Sequence, residues 1–306
     1  MTLSADYLAQ VFNTTIRYLT PILLITLCAN ICSKSRVFNI GLEGTLLSSA
    51  FFAYLVQNKV GNIWLAVSVG MLTGMLFTFI IALFIVKLNG QPMIVGMAVN
   101  TFSQGLTTFL LQTIFHTKGV VNDVKVTGLP KVNLTFLEEK FPIVYKMFSK
   151  LTAVDYLAFV LAIVMFIILY RTVIGFRIRC IGINPEAAKS LGLRVDRYRV
   201  IAPTLSGCMI GLAGCLLSLG SVTMFMQDIS AARGYVALAA NNLCLGHPLG
   251  AIASSALFGF TKALSQILQN VAPMQLLECI PYASTIAAMA IYYAVTTRKH
   301  KKRKAL

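Results

Sequence analysis

Long apolar stretches alternate with short polar connections along the whole chain. Five stretches contain no Asp, Glu, Lys or Arg: 62–86, 88–117, 200–227, 234–261 and 279–297. A helix crosses the hydrocarbon layer of a membrane in roughly 20 apolar residues, so runs of this length predict spans. Admitting segments with a charge or two extends the set to 14–32, 37–57, 62–86, 93–115, 154–174, 200–220, 232–245, 249–268 and 280–297. The seventh is too short to cross comfortably. Gly246-His247-Pro248 follows it, and Gly and Pro together interrupt helices, so the region near 221–248 reads as a broken or re-entrant helix. The expected fold is all-α and polytopic, a single transmembrane domain over residues 1–306 with about 8–10 transmembrane helices.

Composition agrees with this pattern. Of the 306 residues 57% are hydrophobic and 12% charged, about half the charged share of a soluble domain. The net charge of +16 would suggest a nucleic-acid partner in a soluble protein, but here the cations cluster in short connections. Seven lie in 171–199, six in the 298–306 tail, and the rest of the set at Lys34, Arg36 and Lys87. The positive-inside rule places these segments in the cytoplasm and leaves no reason to invoke nucleic acid. With nine crossings the N-terminus is then outside and the C-terminus inside. The 116–152 loop, where Lys alternates with Asp123, Glu138 and Glu139, faces outward. It is long enough for a strand pair or short helix, and Val120–Val126 is β-prone. The first fifteen residues lack a basic start and a small-residue cleavage site, so no cleavable signal peptide is expected. Leu8, Val11 and Phe12 suit either a surface helix or a lead-in to the first span.

Between the spans ending at 174 and beginning at 200 lies a short helix of soluble character. Asn184 suits its N-cap, Pro185 its first turn, Glu186 its positive end and Gly192 a left-handed stop. Ala187, Ala188 and Leu191 would form its small apolar face, with Lys189 among the surrounding cations. Residues 41–50 echo 211–220 at six of ten positions, which raises an internal duplication of the kind found in transporters. Gly70 and Gly74 form a G-x-x-x-G that permits close helix contact.

The sequence carries little that points to catalysis. It has no G-x-x-x-x-G-K-[ST] phosphate loop and no H-E-x-x-H. The seven cysteines fall mostly within spans and lack metal-ligand spacing, so no metal site is expected. Glu43 is the one acid well within a span, which keeps an ion-coupled carrier open as a rival reading. A path for a polar solute needs polar groups at membrane depth. The candidates are Asn39, Glu43, Gln91, Asn100, Ser103, Gln104, Asn241 and Asn242, with Asn100 and Gln104 on one helical face. Phe51, Phe52, Phe102 and Phe225 offer aromatic surfaces in or beside the spans.

Several motifs occur together. Asn39-Ile40-Gly41-Leu42-Glu43-Gly44 resembles the N-[IL]-G-x-E-G signature of permease subunits in ABC importers for branched-chain amino acids, simple sugars and nucleosides. The run Arg179 to Gly192 is similar to that branch's R-A-x-G-x-N-P-x-A-A-x-x-x-G coupling loop. Ser206-Gly207, Gly211-Leu-Ala-Gly214, Arg233-Gly-Tyr-Val-Ala-Leu-Ala-Ala240 and Gly246-His-Pro-Leu-Gly250 continue the resemblance over about 35–295, most like the nucleoside-type permeases. Asn241-Asn242 and His247 depart from the pattern. The resemblance implies a cell-membrane permease subunit that imports a small polar solute, nucleosides first and sugars or branched-chain amino acids as alternatives. It also implies no catalytic site or cofactor in this chain. ATP and Mg would be bound by partner ATPase subunits, a second permease subunit would complete a homo- or heterodimer, and an extracellular binding protein would deliver cargo. Asn184 to Gly192 would be the coupling helix seated on the ATPase.

Overall fold

The computed structural model of the protein describes residues 5–117, 119–123, 126–132, 142–149, 151–220, 222–268 and 290. Its helices are α1 (Ala5–Lys34), α2 (Leu42–Val60), α3 (Ile63–Lys87), α4 (Pro92–Phe115), α5 (Pro142–Phe148), α6 (Ala153–Arg171), α7 (Val173–Ile183), α8 (Pro185–Ser190), α9 (Val195–Leu219), α10 (Arg233–Leu243) and α11 (Pro248–Ile267). Among the described residues, five helices are long and apolar enough to cross a membrane: Ala9–Lys34 of α1, then α3, α4, α6 and α9. The chain is an all-α, multi-pass membrane protein. The predicted spans at 37–57 and 249–268 correspond to α2 and α11. The span predicted at 280–297 and the 298–306 tail lie outside the described residues, Ala290 apart.

Burial separates helices that hydropathy alone treats alike. In α1, 83% of the most apolar window is buried, against 22% in α4. Leu23, Leu24, Ile25, Leu27 and Cys28 are fully enclosed, and α5, α6, α9, α10 and α11 all pack on α1. α1 occupies the centre because these neighbours cover it, its buried Thr20, Thr26 and Asn30 included. The lead-in around Val11 and Phe12 is part of the same continuous helix, not a separate surface helix.

α3 and α9 pack backbone against backbone. A methyl on Gly74 would stand 2.7 Å from the Gly211 nitrogen, and one on Gly207 would stand 2.5 Å from the Gly74 carbonyl oxygen. The G-x-x-x-G of α3 thus meets a second one, Gly207 and Gly211, on α9, and the two backbones touch. Without a hydrophobic driving force between helices in lipid, such packing holds spans together. The echoing segments 41–50 and 211–220 also pack on one another: Gly214 lies against the backbone of Leu46 and Ala50.

Helix ends differ from the apolar boundaries for a simple reason: hydropathy marks the thickness of the membrane, not the end of hydrogen bonding. α9 starts at Val195, so Asp196, Arg197 and Arg199 lie within its first turns rather than in a loop. α2 starts only at Leu42, because Asn39 folds back and its Oδ1 accepts a hydrogen bond from the Gly41 nitrogen at 2.9 Å. Asn39 therefore precedes the helix that carries Glu43.

The expected break is present. α10 has 11 residues, about 16 Å of helix, too short to cross. Leu245 and Gly246 then adopt φ of 53° and 66°. Lys34 Nζ reaches across from α1 to donate to the Leu245 carbonyl at 3.1 Å. His247 begins the next helix as N-cap, its Nδ1 accepting from the Gly250 nitrogen at 3.4 Å, with Pro248 in the first turn.

The loop after α4 contributes two short strands, β1 (Val120–Val121) and β2 (Lys131–Val132). They pair antiparallel with β4 (Phe225–Met226) and β3 (Leu151–Thr152) respectively. The first pair ties this loop to the segment between α9 and α10. The Leu129 nitrogen also donates to the Leu219 carbonyl at 2.7 Å.

Candidate functional site

Glu43, Asn100 and Gln104 come together where the start of α2 meets the start of α10. Ala231 and Ala232 take φ of 45° and 60°, a left-handed conformation uncommon for alanine. The turn they form points the first amides of α10 at Glu43. Its Oε1 accepts from the Ala232 nitrogen at 2.9 Å and its Oε2 from the Gly234 nitrogen at 2.6 Å. A carboxylate here satisfies donors that have no partner within the helix and sits at the positive end of its dipole. Gly234 is required by distance: a methyl there would lie 2.6 Å from the Glu43 nitrogen.

Asn100 of α4 closes the other side. Its Oδ1 accepts from the Gly44 nitrogen at 2.8 Å, and its Nδ2 donates to the Ile40 carbonyl at 3.1 Å and to the Tyr235 hydroxyl at 2.9 Å. One turn along α4, Gln104 Nε2 donates to Asp228 Oδ1 at 2.9 Å. Between these groups lies a cavity of about 300 Å³, lined among others by Glu43, Asn100, Thr101, Gln104, Asp228 and Tyr235. This is at the low end of the range for small-molecule sites. The wall offers two carboxylates, two amides, hydroxyls and a tyrosine ring. Such groups hydrogen-bond a neutral, hydroxyl- and amide-bearing solute and give one flat surface to stack on.

Three of the eight candidate path residues, Glu43, Asn100 and Gln104, line this cavity. Ser103 is buried on the adjacent face, where its Oγ lies close to Gly44. Gln91 is exposed at the N-cap of α4. Asn39 is buried in the turn before α2. Asn241 Nδ2 donates to Ser33 Oγ at 3.0 Å at the other end of α10, and Asn242 beside it is exposed. The aromatic candidates lie elsewhere. Phe51 and Phe225 are enclosed in the core, edge to face at 5.2 Å, and neither Phe52 nor Phe102 lines the cavity. Sequence reading overlooked Asp228 and Tyr235. Asp228 belongs to a connection, and its pairing with Gln104 depends on the turn before α10. Tyr235 lies inside the Arg233–Ala240 motif, where nothing local sets it apart from its neighbours.

The second site is the short helix α8. Asn184 caps it as expected, its Oδ1 accepting from Glu186 and Ala187 nitrogens at 3.1 and 3.2 Å. Gly192 takes φ of 80°. The Gly192 nitrogen donates to the Lys189 carbonyl at 2.9 Å and the Leu193 nitrogen to the Ala188 carbonyl at 3.1 Å, the paired closure of a glycine-terminated helix. The apolar face differs from the expected one. Ala188 is buried against Ile181 and Val195, because a helix of six residues needs an inward anchor. The outward surface carries Ala187 with Leu191 and Ile183, the last two 79% and 82% exposed.

A membrane bundle with a broken helix beside a polar cavity and a capped helix standing off one end is the architecture of a transport component. The chain belongs to the family described as branched-chain amino acid transport system permease component, which matches residues 11–296. It is 30% identical over 287 residues to the nucleoside ABC transporter permease protein NupC of Lactococcus lactis, covering 90% of this chain and 89% of that one. It is 29% identical over 297 residues to the guanosine ABC transporter permease protein NupQ of Bacillus subtilis, covering 92% and 91%. It is also 29% identical over 314 residues to a putative glucose ABC transporter permease protein of Haloferax volcanii, covering 95% and 93%. No solved structure matches the chain.

Proposed function

We propose that this chain is the permease subunit of an ATP-driven importer whose cargo is a nucleoside. The observation that carries the reading is the cavity bounded by Glu43, Asn100, Gln104, Asp228 and Tyr235, a polar site at a helix break in an otherwise apolar bundle. Two of the similar permeases are named for nucleosides or guanosine. A nucleoside offers ribose hydroxyls to the carboxylates and amides, and a flat base to Tyr235.

In this reading Glu43 holds the start of α10, and Asn100 links α2, α4 and α10, so the cavity wall moves as one unit. α8 seats Ala187, Leu191 and Ile183 in a groove on a partner ATPase, which binds the ATP and Mg that this chain has no phosphate loop to hold. Closure of the ATPase pair then moves the spans as rigid bodies. The N-terminus lies outside and α8 with the 175–199 region lies in the cytoplasm, where the Arg and Lys excess belongs. A second permease copy or homologue completes the path, and an extracellular binding protein docks on the 116–152 loop. Residues 1–306 act as one domain.

The test is uptake of labelled nucleosides by cells expressing the chain with its partner subunits, in competition with unlabelled glucose and leucine. Nucleoside uptake that stops when the ATPase is removed at intact membrane potential supports the proposal. Uptake by the purified chain alone under an ion gradient would replace it with an ion-coupled carrier, and displacement by glucose or leucine would change the cargo.

A further inference from the structure

A second cavity, of about 790 Å³, lies between α6, α7 and α9. Its side walls include Val164 and Ile168 of α6 and Ile201 and Leu205 of α9, each at least 36% exposed. In helices that span a membrane, side chains bare to this degree meet acyl chains rather than water. At the end nearest α8 the lining changes to Arg177, Arg194 and Arg197, and no Asp or Glu is among the lining residues. Arg177 Nη1 donates to the Tyr198 hydroxyl at 2.9 Å, which fixes that guanidinium against α9. Arg197 and Ile201 are one helical turn apart, so the cationic mouth and the apolar trough are continuous.

We propose that this groove holds one anionic phospholipid. Its phosphate lies on Arg177, Arg194 and Arg197, and an acyl chain runs along Val164, Ile168, Ile201 and Leu205. The occupant must be apolar along most of its length and anionic at one end, at the level where α9 leaves the membrane. Basic pockets between transmembrane helices take anionic headgroups, and the guanidinium fork matches phosphate oxygens. A small water-soluble anion would leave the trough empty. The chain's own apolar stretch 280–297 suits the trough but not the mouth, because it continues into six Lys and Arg with no acid. The lipid bridges α6 to the base of α8, so an anionic bilayer supports transport better than a neutral one.

The probe is phosphatidylglycerol against phosphatidylcholine, with the permease purified together with its partner subunits. Native mass spectrometry of complexes taken from mixed-lipid nanodiscs reads which lipid stays bound. The wild type is expected to retain phosphatidylglycerol selectively. The triple substitution R177Q/R194Q/R197Q lowers that affinity by about a hundredfold, each cation at a membrane surface contributing roughly fivefold. Ala202→Phe, which fills the groove without changing charge, displaces the lipid too. Equal retention of both lipids by the wild type overturns the proposal, and this holds even where the triple variant does not fold. Cross-linking of Leu205→Cys to residues 280–297 rather than to a photoreactive lipid also overturns it.

Discussion

Replacing Glu43 separates a structural acid from a carrier of protons or cargo. Its two oxygens accept from the Ala232 and Gly234 nitrogens at 2.9 and 2.6 Å, and Ala232 sits in a turn already held in a costly conformation. Hydrogen bonds to a charged group contribute about 1.5–3 kcal/mol each. Glu43→Ala removes both, and at the lower end of that range the start of α10 loses about 3 kcal/mol. A tenfold change corresponds to about 1.4 kcal/mol, so local opening there rises by roughly a hundredfold. Glu43→Gln keeps one acceptor oxygen but turns an NH₂ toward the other donor, which gives a rise of about tenfold. The assay is hydrogen exchange by mass spectrometry, following peptides over 229–237 with peptides of α3 as internal reference. Exchange should rise in the order wild type, Glu43→Gln, Glu43→Ala, with uptake falling in parallel. If Glu43→Gln abolishes uptake while exchange over 229–237 stays at the wild-type level, the capping argument is wrong and the carboxylate acts on cargo or protons directly.

Gly74→Leu should sharply reduce the yield of monodisperse protein in size-exclusion chromatography, and Gly74→Ala should cost about 1–3 kcal/mol of overpacking; wild-type yield for the leucine variant would show that α3 and α9 can separate freely. Leu191→Asp should leave folding intact and cut ATP-dependent uptake at least about tenfold, a loss of roughly 1.4 kcal/mol or more in coupling. Ala188→Asp should instead loosen α8 itself, seen as faster tryptic cleavage at Lys189 and Arg194; identical behaviour of the two variants would refute the inward and outward assignment. Asp228→Asn should raise the apparent KM for cargo with protein level unchanged, because Gln104 and Asp228 share one wall of the cavity. An unaltered uptake curve would remove that wall from the path.

Much of this protein follows from one dimension. Apolar run lengths predict α1, α3, α4, α6 and α9 because a bilayer of fixed thickness imposes a minimum length on any helix that crosses it. The break at Gly246-His247-Pro248 and the caps of α8 are legible for a similar reason: they depend on residues within a few positions of one another. Gly70 and Gly74 announce a close contact but not its partner, which is Gly207 and Gly211 some 130 residues later. The pairing of Glu43 with α10, of Gln104 with Asp228 and of Asn100 with Tyr235 joins residues 124 to 191 positions apart. No local pattern encodes such pairs, since the spacing that matters is set by which helices lie side by side. Tertiary structure likewise decided that Phe51 and Phe225 fill the core rather than the path, and that Ala188 turns inward while Leu191 stands free. In a chain apolar almost throughout, hydrophobicity says which segments enter the membrane. Only packing says which of their faces meet lipid, protein or a solute.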